Sequence, residues 1–134
     1  MPAHLLTTLP VFLAYFAVAI GLLMVFLLIY VNITPYHEFE LIRAGNTAAA
    51  VSLGGAIFGF AMPIANVIAH SDTLLDLIVW GAIAGMIQIL TYLVCRLALP
   101  QLNQDIPAGK MAAAVFLAIL SLSIGLINAA CMTY

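Results

Sequence analysis

Charge is what this chain has least of. Three basic and five acidic side chains are spread over 134 residues, 6% of the total, against 66% apolar residues. So few basic groups leave no stripe to follow a phosphate backbone, which argues against nucleic acid as a partner. The same scarcity argues against strong electrostatic attachment to anionic lipid. Cysteine is scarce too. Cys95 and Cys131 are expected near opposite membrane faces, beyond the reach of a disulfide, and read as small packing residues. No nucleophile–base–orienter set can be assembled. His37 and Glu38 share a connection, but no Ser or Cys nucleophile stands beside them. A P-loop, a glycine-rich nucleotide fingerprint and a haem histidine pair are all missing, so neither an enzyme nor a cofactor is expected. Within the interiors of the apolar blocks there is no charge at all, whereas proton relays, voltage sensors and ion-coupled carriers usually keep one there.

What is present is hydrocarbon, arranged in four blocks at 9–31, 47–69, 74–97 and 111–133. A bilayer core of about 30 Å takes roughly 20 residues of helix, and each block meets that length. The expected fold is therefore all-α, a single integral membrane domain over 1–134 with four transmembrane helices and the lipid bilayer as its solvent. The first block is too long for a signal-peptide core, and Met1-Pro2-Ala3-His4 carries no Lys or Arg ahead of it, so it reads as a retained span. Arg43 lies in the first connection, and Arg96 and Lys110 bracket the third. All three fall on one side, which the positive-inside rule makes cytoplasmic. Both termini and the 70–76 turn are then extracytoplasmic.

An internal repeat runs through the chain. Ala44-Gly45-Asn46-Thr47-Ala48-Ala49-Ala50-Val51 reappears as Ala108-Gly109-Lys110-Met111-Ala112-Ala113-Ala114-Val115, and the same register pairs Gly21 with Gly85. The expected units are 8–70 and 71–134, two helices each. Both cross in the same sense, unlike the inverted repeats of many transporters. Small residues recur at intervals of three and four in the second and fourth spans, with Gly55 and Gly59 on one and Ser121 and Gly125 on the other. That spacing lets membrane helices approach closely, and two such bands also suggest a homo-oligomer. Pro63 removes a backbone donor from the second span and is expected to kink it.

The candidate functional polar residues within the spans are Gln88 and Thr91 in the third, Asn66 in the second and Asn128 in the fourth. Each can serve as an interhelical hydrogen bond or line a polar pathway, and Asn66 and Asn128 are at similar depth. His4, His70, Asp72 and Asp76 are metal-ligand types, but their spacing matches no compact motif. Thr73-Leu74-Leu75-Asp76 before an apolar run reads instead as a capping box, so no metal is expected. The most distinctive polar stretch is 32–43. Thr34 as N-cap and Pro35 as first helical residue would start a short helix. Tyr36, Phe39 and Ile42 would form its apolar stripe, with Glu40 and Arg43 within pairing distance. The alternatives are an interfacial helix on the inner leaflet or a docking surface or gate, with Glu38 as its central carboxylate and Glu40 and Arg43 beside it as candidates for docking a cytoplasmic protein.

These residues also carry a resemblance. Ile33-Thr34-Pro35, Glu38, Leu41-Ile42, Asn46-Thr47-Ala48-Ala49, Trp80-Gly81, Gln88 and Asn128-Ala129-Ala130-Cys131-Met132-Thr133 resemble the YjfL-like family of small bacterial inner-membrane proteins, two copies of a domain of unknown function, essentially end to end. Lys110 departs from the Asn usual at that point. The resemblance implies the bacterial inner membrane, no assigned reaction and a link to envelope maintenance. The expected function is thus a non-enzymatic oligomeric scaffold or docking module; the alternative is an oligomeric channel or small-solute exporter.

Overall fold

A computed structural model describes residues 3–70 and 73–132, with side-chain surroundings from residue 5. Six helices follow one another: α1 (Ala3–Ile33), α2 (Glu38–Arg43), α3 (Thr47–His70), α4 (Leu74–Ala98), α5 (Leu102–Asp105) and α6 (Met111–Cys131). No strand occurs among the described residues. Four of the helices are long and apolar enough to cross a bilayer: 5–33, 47–70, 74–98 and 111–131. The shortest, at 21 residues, spans roughly 30 Å at 1.5 Å per residue. The α3 helix runs unbroken through Pro63, which is buried.

The bundle is built around α3, which packs along α6. Gly55, Gly59, Ser121 and Gly125 all sit at this contact. A Cβ on Gly55 would come within 2.7 Å of the Ala118 Cβ, and one on Gly125 within 2.5 Å of the Gly59 Cα. Backbones this close gain many dispersion contacts, which association in lipid relies on in place of a hydrophobic driving force. The α4 helix closes the third side through Gln88, and α1 lies outermost. Phe26 of α1 stacks on Phe60 of α3 with ring centroids 4.5 Å apart, and Tyr30 meets Tyr92 of α4 edge-on at 5.9 Å. Elsewhere α1 turns Leu6, Phe12, Phe16 and Leu28 outward, the exposure expected of a helix that faces lipid.

Both long connections lie at one end of the bundle and close in the same way. After α2, the Gly45 N–H bonds the Ile42 carbonyl and the Asn46 N–H bonds the Leu41 carbonyl. After α5, the Gly109 N–H bonds the Ile106 carbonyl and the Lys110 N–H bonds the Asp105 carbonyl. These are two Schellman closures, and each needs a residue with positive φ. Gly45 supplies +90° and Gly109 supplies +80°, values that cost a side-chain-bearing residue strain.

The 34–37 segment departs from its expected form. Thr34 and Pro35 do not start a helix. The α1 helix runs to Ile33, three bent residues follow, and His37 is the N-cap of α2, without a side-chain cap bond. Proline disfavours the helical region for the residue before it, so Thr34-Pro35 ends α1. The Tyr36–Phe39–Ile42 stripe divides as a result. Tyr36 is buried in the bundle, Phe39 is 48% exposed and Ile42 is half-buried. At the other end, Thr73 caps α4 as the capping pattern requires, its Oγ1 accepting the Asp76 N–H at 3.2 Å.

Candidate functional site

The polar chemistry of the molecule collects where the two connections meet. Asn46 joins them. Its Oδ1 accepts the Ala49 N–H at 3.0 Å and so caps α3, while its Nδ2 donates to the Ile106 and Pro107 carbonyls, both at 3.1 Å. One amide thereby ties the first connection to the second. Lys110, which follows the corresponding glycine, makes no such cap. It pairs with Asp105 at 3.5 Å instead, the one ion pair within 4 Å among the described residues. Beneath this brace Leu102 and Ile106 are fully buried, and the Tyr92 hydroxyl donates to the Asn103 side-chain oxygen.

Glu38 lies inside this end of the bundle rather than on its surface. It is 1% exposed, and this corrects its expected part in a docking surface: a buried carboxyl cannot meet a partner. Thr34 Oγ1 lies 2.7 Å from Glu38 Oε1, and the second oxygen, Oε2, has no partner. Tyr30, Tyr36 and Tyr92 lie around Glu38, and the Tyr30 hydroxyl is buried without a partner as well. Burial pushes the Glu38 carboxyl above its usual range, and the Thr34 hydroxyl, the backbone and His37 pull it partly back. Burial likewise raises the Tyr36 phenol. Glu40 and Arg43 are exposed, as a docking surface requires, but they do not pair with one another within 4 Å.

The intramembrane candidates go into helix packing. Gln88, 1% exposed, donates from Nε2 to the Ser121 carbonyl at 3.0 Å, and its amide fills the space a Gly59 Cβ would need. Gln88 Oε1 and Ser121 Oγ are buried without partners. Thr91 turns back on its own helix and donates to the Ile87 carbonyl at 2.8 Å. Asn66 donates to the Ala129 carbonyl at 2.9 Å and the Met132 carbonyl at 3.4 Å, so it reaches the end of α6 through its backbone rather than through Asn128, which is half-buried.

Of the metal-ligand types, Asp72 and the His4 side chain lie outside the described residues. Among the described residues no group of three His, Cys, Asp or Glu is placed to hold a metal. His70 Nδ1 lies 2.9 Å from the Asn66 carbonyl. Both cysteines are free; Cys95 is fully buried beside Tyr92, and Cys131, expected to pack, is exposed. The buried Glu38–Thr34 pair was missed from sequence. The signal present was a carboxylate four residues beyond a threonine at the end of an apolar run.

Four membrane-length helices with polar groups gathered under one braced end define a small polytopic membrane protein. The profile of the Domain of Unknown Function DUF350 matches residues 4–132, and the chain belongs to that family. It is 37% identical over 131 residues to the UPF0719 inner membrane protein YjfL of Escherichia coli (strain K12), covering 98% of this chain and 99% of that protein. It is 29% identical over 119 residues to the UPF0719 transmembrane protein YshE of Bacillus subtilis (strain 168), covering 87% and 89%. No solved structure matches.

Proposed function

We propose that the chain is a non-catalytic inner-membrane module in envelope maintenance that assembles as a homo-oligomer and presents its braced end to a cytoplasmic protein partner. The observation that carries this reading is the Asn46 bridge. An amide that caps α3 and also holds Ile106 and Pro107 turns two loops into one surface of fixed shape. Exposed Glu40, Arg43 and Lys110 supply its charge, and all three basic side chains of the chain belong to this end, which favours the cytoplasmic side. The small-residue bands are spent between α3 and α6 of a single chain, so assembly must use another face. The outward apolar side of α1, where Phe12 stacks on Phe16 at 5.8 Å, offers one such face, and α4 and α6 expose others through Leu97 and Leu126. Native mass spectrometry in a mild detergent tests assembly, and a strictly monomeric chain would end that part of the proposal. A photo-crosslinker at Glu40 should give a discrete protein adduct in cells, while one at Phe58, exposed in mid-span, should not.

A second reading is favoured by the orphan pair at Gln88 Oε1 and Ser121 Oγ. Buried polar atoms without partners are costly, and an oligomeric channel or exporter for a small polar solute would give them an occupant. Flux into liposomes by the wild-type protein, abolished by Gln88→Leu with assembly intact, would establish it. Silence across ions and polyamines would leave the docking reading in place.

A further inference from the structure

We propose that Glu38 is a proton-binding site: its neutral carboxyl keeps the 34–38 link seated in the bundle, and loss of the proton unseats it. The argument begins with the Thr34 hydroxyl, which has one hydrogen and three acceptors around it. Glu38 Oε1 lies at 2.7 Å, the Val31 carbonyl at 3.2 Å and the Tyr36 carbonyl at 3.3 Å. With Glu38 ionised, Thr34 must donate to it, and neither carbonyl receives that hydrogen. With Glu38 neutral, the carboxyl donates to Thr34 and Thr34 donates onward to a carbonyl, so one extra hydrogen satisfies one more group. The second carboxyl oxygen has no partner in either case, and an orphan oxygen bearing charge is far costlier to bury than a neutral one.

The surrounding groups offer the anion little. From α1 comes Tyr30, from the link itself Tyr36 and His37, and from α4 Tyr92 and Cys95, with Arg96 beyond Tyr92. Glu40 and Arg43 on α2 point outward, and Asp105 and Lys110 are paired with each other. Among the described residues no Lys or Arg nitrogen lies within 4 Å of the Glu38 carboxylate. The ligand is therefore the proton, and the device stands whether or not this end also docks a protein.

The chain holds two glutamates, Glu38 and Glu40, which makes the test direct. Glutamate labelled with 13C at the side-chain carboxyl should give two signals in detergent or nanodiscs, one buried and one exposed. The buried signal, Glu38, should keep its neutral-acid position well above the pH at which glutamate in the unfolded chain ionises. A Glu38 signal that ionises in the ordinary glutamate range or below it would overturn the proposal without need of any variant. Glu38→Gln, a neutral isostere, should remove the buried signal. Oxidative footprinting of Tyr36 should rise with pH in the wild type and stay flat in Glu38→Gln. An equal rise in both proteins would refute the coupling between the proton and the link.

Discussion

Three glycines decide how closely α3 and α6 approach, and their neighbours differ enough to predict different outcomes. A Cβ on Gly59 would come within 2.9 Å of the Gln88 amide carbon and closer still to the Ser121 backbone, whereas Gly54 has nothing within 4 Å. Gly59→Ala and Gly125→Ala should each destabilise the protein by about 1–3 kcal/mol, the range for forcing extra volume into a packed core. Gly54→Ala should be neutral or slightly stabilising, since alanine is the better helix former. Thermal unfolding of the three variants in one detergent checks the contrast. At position 34 the hydroxyl is the carboxyl's partner, so Thr34→Val should cost about 1–3 kcal/mol by leaving a buried oxygen unsatisfied. The pH dependence has a definite sign. A carboxyl raised by folding contributes its full stability below the unfolded value, 4.5, and that contribution is lost as pH rises towards and through the higher folded value. Wild-type melting temperature relative to Glu38→Gln should therefore fall on going from acid to neutral pH, and a rise would contradict the burial. The glycine spacing was legible because small residues at intervals of three and four mark a helix face. Which helix meets that face was not legible, and neither was Glu38. A carboxylate in a polar loop reads as solvated, and the tyrosines that bury it come from α1 and α4.

Elements differ in how much of their form local sequence decides. The Thr73 cap of α4 and the Gly45 and Gly109 closures follow from residues within a single turn, and the Thr73 cap lies where the capping pattern indicates it. The 34–37 link does not, because Pro35 can begin one helix or end another. Here the packing of Tyr36 and Glu38 into the bundle accompanies the second outcome. Asn46 and Lys110 show the same division. They hold equivalent places after their glycines, yet one bridges the connections and the other makes a largely exposed ion pair. Asn46→Ala should cost about 2 kcal/mol, a cap worth ~1 plus the lost bonds to two carbonyls. Lys110→Ala should cost less than about 0.5 kcal/mol, as exposed pairs do. Urea or thermal unfolding in detergent separates the two, and equal effects would mean that the connections are not braced by that amide. Gln88→Leu should shift stability by no more than about 1 kcal/mol, since the lost bond to Ser121 is offset by removal of the orphan Oε1.

For the whole molecule, the spans were legible from hydropathy and length alone, because lipid admits few alternatives to a closed helix. The α1 helix is longer than its apolar block at both ends, since helix geometry continues until Pro35 stops it. Sidedness rests on charge. Moving Arg43 and Lys110 to the termini should weaken the orientation, because those side chains supply most of the basic bias. The central claim is that the braced end, with Asn46 across it and Glu38 beneath it, faces the cytoplasm and is the working surface. A reporter active only in the periplasm tests this most directly. Fused after Tyr134 it should be active, and fused after Glu40 it should be silent. The reverse pattern would place the braced end in the periplasm and remove the basis for a cytoplasmic partner.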